Sequence, residues 1–395
     1  MDFNKQSKVI ITCNKRLAPI LEGEVKELGF TPTKVFATGV ELKVTLKDCI
    51  KLNLNLRSAS QILCSLRQFR VRNPDDLYKE VLRFPWETVI DRAGYFSVTS
   101  HVDHFTVNNP LFVNVKIKDA IVDRFRRETG VRPNSGPELD KTVVHVYWKD
   151  DVAELFIDTS GETLAKHGYR KIPGKAPMLE ALASSTILAS KWDRRSTFVN
   201  PMCGSGTLAI EAALIATGRK PGLFRNNYSF MHVVGFEKEN YEDEFMNLKK
   251  AVEDREFRII ATDISPDAID ISKVNAKMAG VDHLIEFAIC DFEETEVPEA
   301  KGVIFLNPEY GERLGESSEL EKTYERIGDF LKKKCKGYTG YIFTGNLDLA
   351  KKIGLKASRR IEFYSAKLDC RLLEYELYEG TRRAQTIHAS EPSPG

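Results

Sequence analysis

Val303-Ile304-Phe305-Leu306-Asn307-Pro308-Glu309-Tyr310-Gly311-Glu312-Arg313-Leu314 runs four apolar residues straight into an Asn-Pro-x-Tyr-Gly turn. An apolar run of that length, closed by turn residues, reads as a buried strand ending in a tight loop. Such a loop leaves an amide side chain, a bare carbonyl and an aromatic face at the carboxyl edge of a sheet. Asn307 Oδ1 and the Pro308 carbonyl can each accept one hydrogen of an exocyclic amine, and Tyr310 can stack on the ring that bears it. As that nitrogen attacks a methyl donor it becomes more positive, so both acceptors strengthen in the transition state. An Asn-Pro turn alone also fits a plain strand-to-helix connection. The neighbouring strands decide between the two.

Upstream, Ser196 to Val199 is a short strand that enters Asn200-Pro201-Met202-Cys203-Gly204-Ser205-Gly206-Thr207, and Leu208 to Thr217 continues as an alanine-rich helix. Strand, glycine turn and helix N-terminus open a doubly wound sheet. No third glycine follows Gly206 by three residues, so this is not the dinucleotide fingerprint. The turn suits a ligand whose polar end is amino-acid-like. A second strand, Arg258 to Thr262, ends at Asp263, a carboxylate placed to accept both ribose hydroxyls of a nucleoside cofactor. Ser265 then caps a helix with Pro266 in its first turn, and Gly280 stops it. A third strand, Ile285 to Cys290, ends at Asp291, placed to accept from the amino group of adenine. Gly340 to Thr344 adds another strand, and Arg360–Tyr364 with Leu372–Tyr378 a closing hairpin; a helix over Met178–Trp192 precedes them all. Seven strands with an antiparallel last one match the α/β sheet of class I (Rossmann-like) S-adenosyl-L-methionine-dependent methyltransferases, which bind at the carboxyl edge. The expected cofactor set is Asn200, Pro201, Met202, Cys203, Gly204, Gly206, Thr207, Asp263, Ile264, Asp291 and Phe292, and the catalytic set is Asn307, Pro308 and Tyr310.

The first part of the chain is of another kind. Lys8–Thr12 (strand), Leu17–Leu28 (helix), Lys34–Ala37 and Glu41–Val44 (strands), then Leu52–Leu56 with its alternating Asn and Leu (strand) suggest a small ferredoxin-like unit over 1–57. From Ser58 the pattern changes: helices over Ala59–Phe69 and Pro74–Arg83, strands over Tyr95–Thr99 and Leu111–Ile117, and an amphipathic basic helix from Lys118 to Arg127. Val143–Trp148 and Glu154–Asp158 pair across Lys149-Asp150. Thr163 to Pro177 is a linker, in which His167 reads as a neutral surface histidine.

The chain's 395 residues leave room for two or three domains, and 42% hydrophobic with 29% charged residues is ordinary for a globular protein. No apolar run reaches the roughly 18 residues of a membrane helix, and the start, with Asp2 and Lys5, has no apolar signal core. Seven cysteines without a Cys-x-x-Cys pair argue against a zinc site or a disulfide framework and for a reducing, cytoplasmic setting. A net charge of +1 neither demands nor excludes nucleic acid. The tail, 386–395, is expected to be disordered.

Ser97 to Asp123 and Asp158-Thr159-Ser160-Gly161 resemble a THUMP domain, an RNA-binding module found ahead of RNA-modifying enzymes. Asn200–Thr207, Ala261–Asp263, Asn275–Gly280, Asn307–Leu314 and Lys367–Leu373 look like the bacterial THUMP-containing RNA methyltransferases, most closely the RlmL-type family. The resemblance implies three parts, ferredoxin-like 1–57, THUMP 58–162 and methyltransferase 163–385, together making N2-methylguanosine in 23S ribosomal RNA. It implies RNA phosphates facing Lys118, Arg124, Arg126, Arg127 and Arg132, with Arg170 also touching RNA; without it the basic run is the wet side of a helix. Larger fused members carry a second methyltransferase domain, for which this chain is too short. Two positions depart from the pattern: Asn200 stands where Asp is usual, and Glu309 where a second proline is usual. Members are often labelled N6-adenine DNA methylases, because the amine loop alone does not fix the base. The alternatives are therefore a tRNA guanine methyltransferase, a DNA adenine methyltransferase and a non-catalytic RNA-binding factor.

Overall fold

The computed structural model describes residues 1–174, 177–310, 317–365 and 368–378. The expected disordered tail, Gly311–Leu314 of the amine loop, Lys175, Ala176 and Lys367 lie outside them. The chain forms two compact units, one of Met1–His167 with Lys220–Ala251, the other of Gly168–Arg219 with the described residues from Val252 onward.

The first unit opens with β1 (Ser7–Cys13), α1 (Ala18–Glu27), β2 (Lys34–Phe36), β3 (Gly39–Val44) and α2 (Leu46–Asn55). It continues through β4 (Ala59–Arg70), α3 (Pro74–Arg83), β5 (Tyr95–Asp103), α4 (Pro110–Thr129), β6 (Asn134–Ser135), β7 (Thr142–Lys149) and β8 (Val152–Asp158). One eight-stranded sheet, in the order β2-β3-β1-β4-β8-β7-β5-β6, joins the ferredoxin-like start to the rest. Pairing is antiparallel except where β5 meets β6 and β7.

Three expectations here are corrected. Leu52–Leu56 lies in helix α2 and its C-cap, not in a strand. Its alternation misleads because Leu52, Asn53, Leu54 and Asn55 are all buried, and the amides bond back along the helix, Asn53 Nδ2 to Cys49 O at 2.8 Å and Asn55 Nδ2 to Lys51 O at 2.9 Å. Thr45 and Asp48 start that helix with a reciprocal capping box. Ala59–Phe69 is strand β4, held between β1 and β8 and shifted in register at Ser65/Arg67. Leu111–Ile117 is the first half of α4, begun by Asn109 Oδ1 accepting from Leu111 N at 3.0 Å with Pro110 in the first turn. Leu111, Phe112 and Val115 are exposed while Val113 and Ile117, four apart, are buried, which is a helix face and not a strand's alternation.

His145 of β7 gives the first unit a pH dependence. Burial first, and His101 second, hold its imidazole at about 4, against 6.5 ordinarily. Between those values the unfolded chain binds more protons, so stability is intact above the ordinary value and falls as pH drops towards the folded one, by about 3 kcal/mol. Asp158, pushed up to about 7 by burial, acts in the opposite sense, losing stability as pH rises. Comparing His145→Gln with the unmodified chain cancels the aspartate. We expect the variant's Tm to gain on the unmodified chain's as pH is lowered from 7 towards 5; parallel Tm curves would remove His145 as the cause.

The second unit begins with α5 (Glu180–Ala189), β9 (Thr197–Pro201) and α6 (Thr207–Ala216), and the next helix, α7 (Lys238–Lys250), belongs to the first unit. Then follow β10 (Ile259–Asp263), α8 (Pro266–Met278), β11 (Ile285–Ile289), β12 (Gly302–Leu306), α9 (Ser317–Lys334), β13 (Thr339–Thr344), α10 (Leu347–Lys352), β14 (Arg359–Ser365) and β15 (Leu368–Glu376). The sheet order β11-β10-β9-β12-β13-β15-β14 is parallel up to β13 and antiparallel thereafter. This is the class I methyltransferase sheet. Strand alternation sends Val199, Ile304, Leu306 and Ile342 into a core with Tyr324, Ile327 and Leu331 of α9. The residues between them, Phe198, Phe305 and Tyr341, stack in a row on the other face at 5.0 and 4.7 Å. A sheet buried on both faces explains the unbroken apolar runs.

Candidate active site

β10, β9 and β12 are neighbours in the parallel part of the sheet, so their carboxyl ends open on one edge. After β9 the backbone turns through Met202 (φ 57°), Gly204 (φ 57°) and Gly206 (φ 78°) into α6. A Cβ on Gly206 would sit 3.0 Å from Ser272 Cβ and Oγ, so only glycine passes this point. Asp263 ties the turn to the end of β10: Oδ2 accepts from Gly204 N at 2.9 Å, and Oδ1 from Ser265 N at 3.0 Å. The next side chain, Ile264, is 69% exposed, an apolar surface at the rim.

At the end of β11, Asp291 accepts from Glu293 N at 3.0 Å and Arg326 Nη2 at 2.8 Å. Burial alone would raise its carboxyl, but those two donors hold it below the usual range. Phe292 is buried under the Arg326 guanidinium, 4.8 Å from the ring centre, and meets Phe330 edge-on. Its ring is therefore largely engaged in packing.

Asn200 is fully buried and donates through Nδ2 to Phe305 O of β12 at 2.9 Å. Its Oδ1 is buried with no hydrogen-bond partner among the described residues, and so is Oδ1 of Asn307, two residues beyond Phe305. Each orphaned acceptor costs about 1–3 kcal/mol unless a donor arrives. Pro308 is buried and Glu309 exposed. The Tyr310 ring meets Phe343 edge-on, and its hydroxyl lies against Cys370 and Ser365. Burial, then Cys370, pushes that hydroxyl up to about 12, so it stays neutral.

The basic residues expected at RNA are engaged differently from one another. Arg126 and Arg127 are more than half exposed on α4, each beside a carboxylate of that helix, and Lys118 sits 3.0 Å from Asp119. Arg124 is only 15% exposed and forks onto Glu87, a packing role rather than an open phosphate contact. Arg170 is engaged within the protein. It is 13% exposed and spends its donors on Met178 O at 2.6 Å, Thr207 Oγ1 at 2.9 Å and Glu180 at 3.3 Å. His167 is not a surface residue either; it is 1% exposed, with Nε2 2.9 Å from Arg57 O.

Two polar residues have no role in the sequence reading, although Asn275 opens the family-like stretch Asn275–Gly280. Ser272 donates to Gly204 O at 2.7 Å, and Asn275, one turn further along α8, bonds the chain over Lys171 and Ile172. Both are buried, and polar residues three apart on a helix face that also carries Ile269 and Ala276 were the available signal.

Family models match the chain in three places: the RlmL ferredoxin-like domain over 8–63, the THUMP domain over 71–158, and the RMKL-like methyltransferase domain over 167–374. Among curated proteins, the ribosomal RNA large subunit methyltransferase K/L of Syntrophotalea carbinolica is 34% identical over 386 residues, covering 94% of this chain and 54% of that protein. The chain spans about half the length of the curated relatives it matches. Among solved structures, SMU.472, determined as a complex with SAH (S-adenosylhomocysteine), superposes with a TM-score of 0.87 at 25% identity, over 96% of this chain and all of that one. A protein of Listeria monocytogenes described as a predicted N6-adenine-specific DNA methylase superposes with a TM-score of 0.84 at 29% identity, over 94% of this chain and 97% of that one.

Proposed function

Because the chain belongs to the RMKL-like methyltransferase family, we propose that it transfers the methyl group of S-adenosylmethionine to the exocyclic N2 of a guanosine in 23S ribosomal RNA, in the cytoplasm. The observation that carries the reading is the pair of buried, donorless acceptors, Asn200 Oδ1 and Asn307 Oδ1, at adjoining strand ends. An ammonium at the first and an amine hydrogen at the second would satisfy both. Asn200 offers that acceptor without the charge of an aspartate, which favours a weaker hold on the cofactor.

The cofactor supplies an electrophilic methyl group on a sulfonium, which leaves as a neutral thioether. The chain's own groups do the positioning. Asp263 holds the glycine turn and presents its carboxylate to the ribose, Ile264 offers an apolar face to the base of the cofactor, and Asp291 offers an acceptor to its amino group. The RNA base leaves its stack and lies on Tyr310. Asn307 Oδ1 and the Pro308 carbonyl accept the two amine hydrogens and orient the nitrogen lone pair at the methyl carbon. The nitrogen gains positive charge as the new bond forms, and both acceptors stabilise it most at that moment. The surplus proton then passes to water, so no strong general base is needed.

Tyr310 needs room to lie where it does. A Cβ on Gly345 would stand 3.0 Å from its ring and 3.3 Å from Cys370 Sγ. Gly345→Ala is expected to raise the KM for RNA by about three- to tenfold, as a shifted contact does, with SAH affinity unchanged. An unchanged KM would detach Tyr310 from base binding.

The whole reading is tested by offering labelled S-adenosylmethionine with total RNA or total DNA. Label in RNA alone is expected. Label confined to DNA would overturn the nucleic acid while keeping the amine loop, and would favour the adenine alternative.

A further inference from the structure

The sequence makes Thr163 to Pro177 a linker, with Arg170 expected at RNA. The contacts of residues 168–174 point elsewhere. The Tyr169 side chain is buried beside Glu211 of α6. Arg170 reaches Thr207, the first residue of α6, and Glu180 of α5. Backbone N–H groups of Lys171 and Ile172 both donate to Asn275 Oδ1, at 3.1 and 3.2 Å, and Asn275 Nδ2 donates to Ile172 O at 3.1 Å and Ser205 O at 3.4 Å. At its end, a Cβ on Gly174 would lie 3.2 Å from Ser205 Cβ. The segment is thus tied to the turn on either side of Gly206, to Ser205 through Asn275 and to Thr207 through Arg170.

We infer that residues 168–174 are a brace for the cofactor turn, and that Arg170 and Asn275 are positioning residues for S-adenosylmethionine rather than contacts for RNA. The inference rests on the methyltransferase reading above. Its physical basis is the cost of the turn itself. Met202, Gly204 and Gly206 all hold positive φ, so the loop has no regular backbone ladder and depends on outside bonds to keep its N–H groups aimed at a ligand. Asp263 supplies one such bond from the end of β10, and Ser272 and Asn275 supply others from α8. The brace holds the Asn275 amide in place through Lys171 and Ile172 and adds the bond of Arg170 to Thr207 at the start of α6. A turn left without that brace samples other shapes, and the fraction competent to bind falls.

Arg170→Lys removes the forked hold on Thr207 and Glu180 but keeps the charge. Asn275→Asp keeps an acceptor for Lys171 and Ile172 N–H and loses the donor to Ser205. SAH binding by calorimetry and RNA binding by filter retention are measured on the full chain, with Tm recorded for each variant. We expect both variants to bind SAH about tenfold or more weakly, as a competent fraction cut to about a tenth gives, with RNA affinity unchanged; Tm falls by the bonds lost, with each variant still folded at the assay temperature. A merely structural role would lower Tm and leave SAH affinity intact in the folded protein; that result overturns the inference. So does an Arg170→Lys variant that loses RNA affinity while keeping SAH. Unmodified protein that binds no SAH overturns the methyltransferase reading, and the inference with it.

Discussion

Asn307→Ala is expected to lower kcat for methyl transfer by roughly 10²–10³-fold, the scale of losing one pre-aimed group at the site of developing charge, while SAH binds as before. Asn307 sits one residue past β12, and its Oδ1 is enclosed with no donor among the described residues. An acceptor kept in that state is costly in the free chain and is relieved only by a ligand N–H. Alanine removes the acceptor that strengthens as the amine nitrogen gains charge, so the loss falls on the chemical step. Asn307→Asp keeps an acceptor and is expected to retain more activity than alanine. Full activity in Asn307→Ala would place the reacting nitrogen elsewhere.

Asp263→Ala should fail in the opposite manner, at the cofactor. Its carboxylate receives Gly204 N and Ser265 N, fixing the glycine turn against the end of β10, before it meets any ribose hydroxyl. Losing charge-assisted bonds to both the turn and the ligand is worth about 3 kcal/mol, or on the order of a hundredfold in Kd for SAH. At saturating cofactor, kcat should change far less, because the amine acceptors remain. If Asp263→Ala bound SAH normally and Asn307→Ala did not, the two roles would have to be exchanged.

The methyltransferase half was legible because its central strands, β9, β10, β12 and β13, are buried on both faces and several strands lead into distinctive residues. Apolar runs such as Val303–Leu306 can only be interior strands, and each is followed by the group that shapes the edge, Asn200, Asp263, Asp291 or Asn307. The first unit was harder. Burial of Asn53 and Asn55 beside Leu52 and Leu54 imitated a two-residue period, and an exposed apolar patch at Leu111, Phe112 and Val115 imitated a strand inside α4. In both, a cap decided the matter: Thr45 with Asp48 for α2, Asn109 for α4. Local composition identified the basic residues but not their partners. Arg124 on Glu87 and Arg170 on Thr207 are fixed by residues 37 positions away in sequence, a separation no motif reports. Asn275 is the same case, since its use depends on where the chain over Lys171 lies.

The most direct test is nucleoside mass spectrometry of the large ribosomal RNA from a strain lacking this gene, before and after incubation with the purified protein and S-adenosylmethionine. The account predicts that N2-methylguanosine is deficient beforehand and is restored by the unmodified protein but not by Asn307→Ala. Restoration of N6-methyladenosine, or no methylated nucleoside gained from any RNA by protein that binds SAH, would contradict it.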